Sequence, residues 1–246
     1  MKLRDNRTLS DRLTAVAVMT ADAVRELSKE TGRRDIRVAD IGTDHGYLPI
    51  YLIEQRIVPR VIAMDVNSGP LERARKNVED AGLAERIELR LSDGFHALSS
   101  GEAQVAVLSG MGGRLMKKLL TAVSPSTIGI GQLILQPQSE ARELWMFLNE
   151  NGWKVIDERM VYEDEQFYTM MRAVREGQDP GHGEEDFGAV LSNCRDETWH
   201  LFLEKEQAAN AKLIERIAAQ NGPQKRIDEL TAEQANIEAA LSVFRD

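Results

Sequence analysis

Short apolar runs alternate with longer segments of helical periodicity between Arg37 and about Arg175. The apolar runs are rich in β-branched residues and show little polar alternation; they read RVADIG, RVIAMDV, RIELRLSD, VAVLSG and QLILQP. Strands of this kind are buried on both faces, as in a parallel sheet. The intervening stretches predict an α/β fold of right-handed βαβ units, with helices in YLPIYLIEQR, SGPLERARKNVEDAG (N-cap Ser68), GRLMKKLLTAV and SEARELWMFLNENG.

The pattern changes after Gly152. The segments WKVIDERMVYED and FYTMMRAVR are β-rich, and only a short turn separates them. They predict an antiparallel hairpin at one edge of the sheet. A parallel sheet that ends in such a hairpin differs from a dehydrogenase sheet. It is similar to the Rossmann-like sheet of class I methyltransferases, whose last strand is inserted antiparallel.

Helical segments flank the predicted sheet in the sequence. Before it, LSDRLTAVAVMTADAVRELSKE carries apolar residues at helical spacing and predicts an N-terminal helical cap. After it, EGQDPGHGEED is rich in Gly, Pro and acids, as linkers are. Two helical arms on either side of QNGPQ then predict an antiparallel, coiled-coil-like hairpin. We therefore expect two domains, residues 1–175 and residues 176–246.

Composition narrows the class of protein. No apolar run approaches the length that spans a bilayer, and the N-terminal segment lacks the apolar stretch of a signal peptide. The single cysteine, Cys194, excludes an internal disulfide and a multi-cysteine metal site. We expect a cytoplasmic protein without a metal or a membrane partner. The formal net charge of -9 disfavours nucleic acid, but a basic N-terminal segment keeps a local basic face open, with Lys2, Arg4, Arg7 and Arg12.

The loop IGTDHGYLP follows the first predicted strand, where a doubly wound sheet binds its ligand. Gly42 and Gly46 have the spacing of a cofactor loop, but Asp44 stands between them and Asp40 precedes them. At about 4 Å from a pyrophosphate oxygen and an effective dielectric constant of about 20, the charge of Asp44 costs roughly 4 kcal/mol. That cost is about a thousandfold in affinity. The same carboxylate attracts the ammonium and sulfonium groups of S-adenosylmethionine, so the loop favours that cofactor over a dinucleotide.

Two further acids follow the next two predicted strands. Asp65 is placed to accept hydrogen bonds from ribose hydroxyls, and Asp93 is placed to reach the adenine amine. Helix capping or turn formation is the alternative for both acids. His45 is either a ligand contact or an exposed loop histidine.

The loop SGMGG, from Ser109 to Gly113, follows the fourth predicted strand, where class I methyltransferases place the methyl acceptor. It lacks the Asn-Pro-Pro-aromatic pattern of enzymes that methylate exocyclic base amines. Its glycines admit a planar acceptor and offer backbone N–H groups at a helix start. Such a loop suits a ring nitrogen, whose lone pair lies in the base plane. Close helix–strand packing is the alternative.

The fifth predicted strand ends in QPQ. Gln136 is a candidate for a hydrogen bond to a base edge, or Pro137 and Gln138 only begin the next helix. In the predicted hairpin, Phe167 and Tyr168 either flank an inserted base or belong to the core. The sequence leaves these alternatives open.

The motifs LSDRL, ADIGTDHGYLP, SDG, SGMGG and LILQP, in this order, resemble the bacterial tRNA (adenine-22-N1) methyltransferase family over roughly Leu9 to Val174. Family members resemble this chain further in a helical coiled-coil C-terminal domain. The resemblance implies transfer of a methyl group from S-adenosylmethionine to N1 of an adenine in tRNA by residues 1–175. It implies cofactor-binding roles for Asp40, Gly42, Asp44, His45, Gly46, Asp65, Asp93 and Gly94. It implies an acceptor-site role for Gly110, Met111, Gly112, Gly113, Gln136 and Pro137.

Two other functions stay compatible with the sequence. One is a class I methyltransferase that acts on another RNA or on a small molecule, and the other is a non-catalytic RNA-binding scaffold. Candidates for contact with the tRNA backbone are the basic N-terminal helix and the tip of the C-terminal hairpin, where the cations Lys212, Arg216, Lys225 and Arg226 cluster. A solvated helix face is the alternative at that tip. The oligomeric state stays open, a monomer included.

Overall fold

The computed structural model describes residues 9–175 and 188–245, which form two compact units with their boundary between these ranges. The predicted linker EGQDPGHGEED and the basic residues Lys2, Arg4 and Arg7 lie outside the described residues. The predicted domain boundary at residues 175 and 176 therefore stays a prediction.

The first unit is built on one seven-stranded sheet. Its strands are β1 (Arg37–Ile41), β2 (Arg60–Asp65), β3 (Ile87–Leu91), β4 (Val105–Met111), β5 (Gln132–Pro137), β6 (Trp153–Glu163) and β7 (Gln166–Arg175). Their order across the sheet is β3-β2-β1-β4-β5-β7-β6. The strand β7 runs antiparallel to β5 and β6, and the other neighbours are parallel. The prediction of a mostly parallel α/β sheet that ends in an antiparallel hairpin is confirmed.

Helices flank this sheet and also make up the second unit. In the first unit they are α1 (Asp11–Thr31), α2 (Tyr47–Glu54), α3 (Ser68–Asp80), α4 (Gly113–Ala122) and α5 (Ala141–Glu150). In the second unit they are α6 (Ala189–Asn193), α7 (Glu197–Ala219) and α8 (Gln224–Ser242). A short 3-10 turn, Pro125–Ile128, lies between α4 and β5. The helix α1 is the predicted N-terminal cap.

The central strands are apolar on both faces because helices cover both faces. In β4, Val105 and Val107 belong to a hydrophobic cluster with residues of α1 and α2, whereas Ala106 and Leu108 belong to a second cluster with α4 and α5. Consecutive side chains of a strand point to opposite faces of the sheet. All four side chains are fully buried. This two-sided burial explains why the strand sequences lack alternating polar residues.

The prediction that Ser68 caps α3 was wrong. Ser68 is the first residue of the helix, and the capping position falls on Asn67, which has extended backbone angles and no side-chain cap. The preceding strand explains the shift, because the Asp65 carboxylate accepts a hydrogen bond of 2.8 Å from the Asn67 backbone N–H and fixes the turn. Pro70 lies in the first turn of α3, and Gly82 lies just after its last turn with a positive φ of 68°.

The second unit contains the predicted helical hairpin. The helices α7 and α8 pack along each other on either side of the turn at residues 220–223. Their buried apolar residues are Trp199, Leu203, Leu230, Ile237 and Leu241. Asp196 caps α7, since its carboxylate accepts a hydrogen bond of 2.7 Å from the Trp199 backbone N–H. Within the described ranges, no helix has an apolar stretch long enough to cross a membrane.

A buried arginine ties α1 to the sheet. Arg172 on β7 is 5% exposed. It donates hydrogen bonds to Gln132 Oε1 on β5 at 2.9 Å and to Glu26 Oε2 on α1 at 2.6 Å. Since α1 covers β4 to β7, this contact helps to hold the cap on the sheet.

Replacing Arg172 with methionine is expected to lower the free energy of unfolding by about 2–3 kcal/mol, because the buried Gln132 amide oxygen loses its donor. The matched control is Arg25→Met, since the Arg25–Asp22 ion pair lies on the surface of α1. That control should cost less than about 1 kcal/mol. Urea unfolding followed by circular dichroism measures both variants. Equal losses would contradict the role assigned to Arg172.

Candidate active site at the carboxyl edge of the sheet

The predicted cofactor-binding and acceptor-site residues lie at one edge of the sheet, where the parallel strands end. They occupy the ends of β1 to β5 and the loops that follow them. The loops after β1 and β4 touch, because a Cβ atom at Gly42 would lie 2.8 Å from Cε of Met111. The predicted cofactor loop and the predicted acceptor loop are therefore neighbours in the fold.

Asp40 near the end of β1 is a buried acid, 4% exposed. Burial raises the pKa of Asp40 to about 6, the Thr43 hydroxyl lowers it in part, and the nearby Asp65 carboxylate raises it. The contact with Thr43 is weak, since Thr43 Oγ1 is buried and makes no hydrogen bond of good geometry within the described residues. Burial is therefore the dominant cause of the shift. A buried acid and a buried hydroxyl that needs a partner lie together at this edge.

Asp65 at the end of β2 holds the neighbouring loops in place. Its carboxylate accepts hydrogen bonds from the backbone N–H groups of Asn67 at 2.8 Å and of Asp44 at 3.4 Å. The turn-forming alternative therefore describes part of what Asp65 does. A carboxylate has about four lone-pair sites, so acceptor capacity is left for hydroxyl groups of a ligand.

Asp44 has a partner that the sequence did not indicate. Its Oδ1 accepts a hydrogen bond of 2.9 Å from the Arg73 guanidinium on α3, and His45 Nε2 lies 3.5 Å from its Oδ2. Arg73 therefore offsets part of the negative charge that Asp44 presents to a ligand, and the predicted role of Asp44 in cofactor binding stays a prediction. The buried acids Asp40 and Asp65 are the main source of negative charge toward a ligand at this edge.

The other predicted cofactor residues differ in their surroundings. The His45 ring stacks on Tyr47 at 5.3 Å between centroids, and its backbone oxygen accepts a hydrogen bond from Asn77. Asp93 is exposed beyond β3. Gly94 packs against α4, since a Cβ atom there would lie 2.8 Å from Leu119 Cδ2. Within the described residues, no three His, Cys, Asp or Glu side chains are arranged to hold a metal ion.

Two exposed apolar side chains at this edge were not predicted from the sequence. Val66 directly follows Asp65 and is 57% exposed, and Leu91 pairs with Asp65 across the two strands and is 60% exposed. Their signal in the sequence is weak, because an apolar residue at a strand end is expected in the core. Exposed apolar surface beside polar groups that converge on one edge is typical of a binding site for a small ligand.

A β-bulge shapes the predicted acceptor loop. The pairing of β4 with β5 shifts between Ser109 and Met111, and Gly110 adopts a φ of 76° that side chains disfavour. Gln136 Oε1 accepts hydrogen bonds of 3.0 Å from the Ser109 hydroxyl and the Gly110 N–H, and its Nε2 donates to Pro137 O at 3.0 Å. The amide thus replaces the strand partner that the bulge removes.

This geometry corrects the interpretation of Gln136 as a reader of a base edge. The side chain is 0% exposed, and both ends of its amide are bonded inside the protein. Pro137 is also buried, at the end of β5 beside Met111. Gln136 and Pro137 therefore support the predicted acceptor loop from inside the protein.

The start of α4 is closed by the loop after β5. A Cβ atom at Gly113 would lie 2.7 Å from Glu140 O and 2.8 Å from Ser139 O, so close packing explains this glycine. The N–H of Gly113 donates to Ser139 O at 3.0 Å, and that of Arg114 donates to Glu140 Oε2 at 2.8 Å. The expectation that these two N–H groups face a ligand was wrong, because the next loop already binds them.

A family model described as "Methyltransferase domain" matches residues 9–171. The chain belongs to this family. The methyltransferase-domain chain is 35% identical over 136 residues to the tRNA (adenine(22)-N(1))-methyltransferase of Bacillus subtilis (strain 168). That match covers 55% of this chain and 57% of the relative, so it spans a little over half the length of that protein.

Solved structures match this methyltransferase-domain chain over nearly its full length. An uncharacterized protein from Listeria monocytogenes serotype 4b has a TM-score of 0.81 at 28% identity, over 95% of this chain and 100% of that one. The B. subtilis tRNA (adenine-22-N1) methyltransferase TrmK has a TM-score of 0.76 at 27% identity, over 95% and 99%. Streptococcus pneumoniae Sp1610 in complex with S-adenosyl-L-methionine has a TM-score of 0.77 at 28% sequence identity, over 95% of this chain and 100% of that one. The resemblance indicated by the sequence motifs is confirmed.

Asp40→Asn is expected to stabilise the ligand-free methyltransferase domain at pH 8 by up to about 3 kcal/mol. The folded protein keeps the Asp40 proton up to a pKa of about 6, whereas the ordinary value is 3.8. The stability contributed by this group is therefore full below pH 4 and is lost as the pH rises through 6. Urea unfolding of both proteins between pH 4 and pH 8 measures the difference.

The exposed Asp80→Asn on α3 is the matched control for Asp40→Asn, since the Asp80 carboxylate stays in water in both states. A gap between wild type and Asp40→Asn that stays constant over this pH range would contradict the raised pKa.

Proposed function

We propose that this protein transfers the methyl group of S-adenosylmethionine to N1 of adenine 22 in tRNA, which places it in the cytoplasm. The observation that carries the proposal is the contact between two loops at one sheet edge. One loop follows the buried acid Asp40, and the other is the glycine bulge at Gly110. The likeness to the B. subtilis tRNA (adenine-22-N1) methyltransferase supports the choice of acceptor.

The residues at the ends of β1 and β2 fit S-adenosylmethionine. The carboxylates of Asp40 and Asp65 favour a ligand with positive ammonium and sulfonium groups, and the charge of Asp40 disfavours a pyrophosphate beside the loop that follows β1. Asp65 has acceptor capacity for ribose hydroxyls, and the buried Thr43 hydroxyl gains a partner. Val66 and Leu91 offer apolar contact to the adenine ring. The complex of Sp1610 with S-adenosyl-L-methionine supports this assignment.

The bulge at Gly110 leaves room for a flat acceptor. A Cβ atom at Gly110 would meet one neighbour within 4 Å, Gln138 Nε2 at 3.9 Å, so the space beside this residue is open. A base that enters there meets backbone and the flexible side chain of Met111, with no charged group from the bulge itself. The fully buried Gln136 holds that backbone in one conformation.

Little acid–base chemistry is needed for this reaction. S-adenosylmethionine supplies an electrophilic methyl group, and N1 of adenine is unprotonated at neutral pH with its lone pair in the ring plane. The chain's own contribution is to bind and orient the two reactants, which is worth roughly 7–11 kcal/mol when the geometry is close to that of attack. A paired target base must first leave its stack, at a cost of a few kcal/mol.

Tritiated S-adenosylmethionine and a tRNA transcript test the proposed reaction. We expect label to enter the transcript in stoichiometric amount, and nuclease digestion with mass spectrometry to find 1-methyladenosine at position 22. The control transcript carries guanine at position 22 and should stay at background. Label in the control, or in another RNA instead of tRNA, would assign a different acceptor. Transfer to no RNA by folded protein would favour the scaffold alternative.

Gln136→Leu tests the positioning of the acceptor loop. The substitution removes the amide that accepts the hydrogen bond of the Gly110 N–H, so the acceptor loop is no longer held in one conformation. We therefore expect kcat for tRNA to fall about a hundredfold, while KM for S-adenosylmethionine stays unchanged. The matched control is Gln104→Leu at the opposite edge of the sheet, where a buried amide also bridges a backbone N–H and a backbone carbonyl. Both variants should lose about 1–3 kcal/mol of stability. Equal kcat values in the two variants would rule out the positioning role.

A further inference from the structure

Helix α4 differs in charge from the other helices of residues 9–175 and 188–245. It carries Arg114, Lys117 and Lys118 and no acidic residue. In every other helix of these ranges, acids equal or outnumber the cations. This includes α1, so the expectation of a basic N-terminal helix does not hold for the helix itself. The whole chain has a formal net charge of -9, so this helix is a local concentration of positive charge on an acidic protein. A local concentration of positive charge on an acidic protein favours binding of an anionic partner at that surface.

Two of the three cations of α4, Arg114 and Lys118, line an open groove. Its walls are the exposed side of α4, with Arg114, Leu115 and Lys118, and the loop after β5, with Ser139 and Glu140. The Arg114 side chain is 87% exposed, and its guanidinium lies 3.5 Å from Glu140 Oε1. Glu140 is the acid among the lining residues, so cations outnumber acids in the groove. Leu115 adds exposed apolar surface between the two cations.

The groove begins beside the predicted acceptor loop, because Gly112 belongs to both. Gly112 lines its end, and Gly110 with its open space lies two residues earlier in the chain. A base that enters beside Gly110 brings its neighbouring nucleotides over this surface, since they are covalently joined to it. The groove therefore adjoins the acceptor loop.

We propose that the groove between α4 and the loop after β5 binds the phosphate backbone of the RNA strand next to the target adenosine. This inference rests on the proposed function and adds the surface that positions the substrate. Arg114 and Lys118 contact phosphates, and Leu115 packs on a sugar or base. The basic side of α4, and not overall charge, lets this acidic chain bind RNA.

The double variant Arg114→Gln/Lys118→Gln tests the groove by direct binding of a tRNA transcript, measured by fluorescence anisotropy at several salt concentrations. Each lost phosphate contact lowers the slope of log K against log salt by about 0.7–0.9. The double variant should therefore lose about 1.4–1.8 of that slope and bind tRNA about tenfold to thirtyfold more weakly at 0.15 M salt. Its affinity for S-adenosylmethionine should stay unchanged, which also reports that it is folded.

The matched control is Arg60→Gln/Lys154→Gln, which removes the same charge at the opposite edge of the sheet, where β2 and β6 begin. It should change tRNA affinity by less than about twofold. The single variant Lys118→Gln leaves the contact of Arg114 with Glu140 intact and should carry about half of the slope change.

The outcomes separate this inference from the proposed function. Unchanged tRNA affinity and slope in the groove variant would overturn the inference, even if wild type methylates adenine 22. Wild type that binds tRNA through the groove but methylates no adenine would support the groove and overturn the proposed function. Wild type that binds no tRNA would overturn both. Polyglutamate serves as a probe for an acidic protein partner, and its binding to wild type and to the groove variant is measured in the same way. If the groove variant loses polyglutamate binding but keeps its tRNA affinity, the groove belongs to an acidic protein partner and the inference is overturned.

Discussion

Burial of charge at the carboxyl edge of the sheet is the constraint on which this site depends. Asp40 is enclosed by the fold, and Asp65 lies beside it with its oxygens held by backbone N–H groups. Carboxylates in such surroundings are costly unless hydrogen-bond donors or a cation face them. The chain supplies donors to Asp65, but among residues 9–175 and 188–245 the Thr43 hydroxyl near Asp40 has no good hydrogen-bond partner. A cation that also carries hydroxyl groups satisfies this edge better than a phosphate does.

The acceptor side of the edge is shaped by backbone geometry. A regular parallel ladder between β4 and β5 would continue to the strand ends and leave no room between them. The bulge at Gly110 interrupts the ladder, and the buried Gln136 amide takes over the hydrogen bond that is lost. The result is a rigid, open surface made of main chain. Such a surface suits a reaction in which the ring nitrogen needs orientation and no proton acceptor.

The sheet could be predicted from the sequence because two-sided burial leaves a direct trace in the apolar strands. The common location of the candidate residues could be predicted as well, since every parallel strand ends at the same edge. The partners of individual side chains could not. Whether Arg73 reaches Asp44 depends on how α3 is rotated about its axis, and the role of Gln136 depends on a bulge in the neighbouring strand. Both are tertiary facts that spacing along the chain does not encode.

The order of strands explains how one edge can serve the two ligands proposed here, which have opposite charge. The acids lie at the ends of β1 and β2, whereas α4 follows β4 and its groove is closed by the loop after β5. Because the order is β2-β1-β4-β5, the buried acids Asp40 and Asp65 occupy one side of the edge and the cations of α4 follow on the other. Charge is therefore distributed locally at this edge, and net charge alone is a poor guide to what this protein binds.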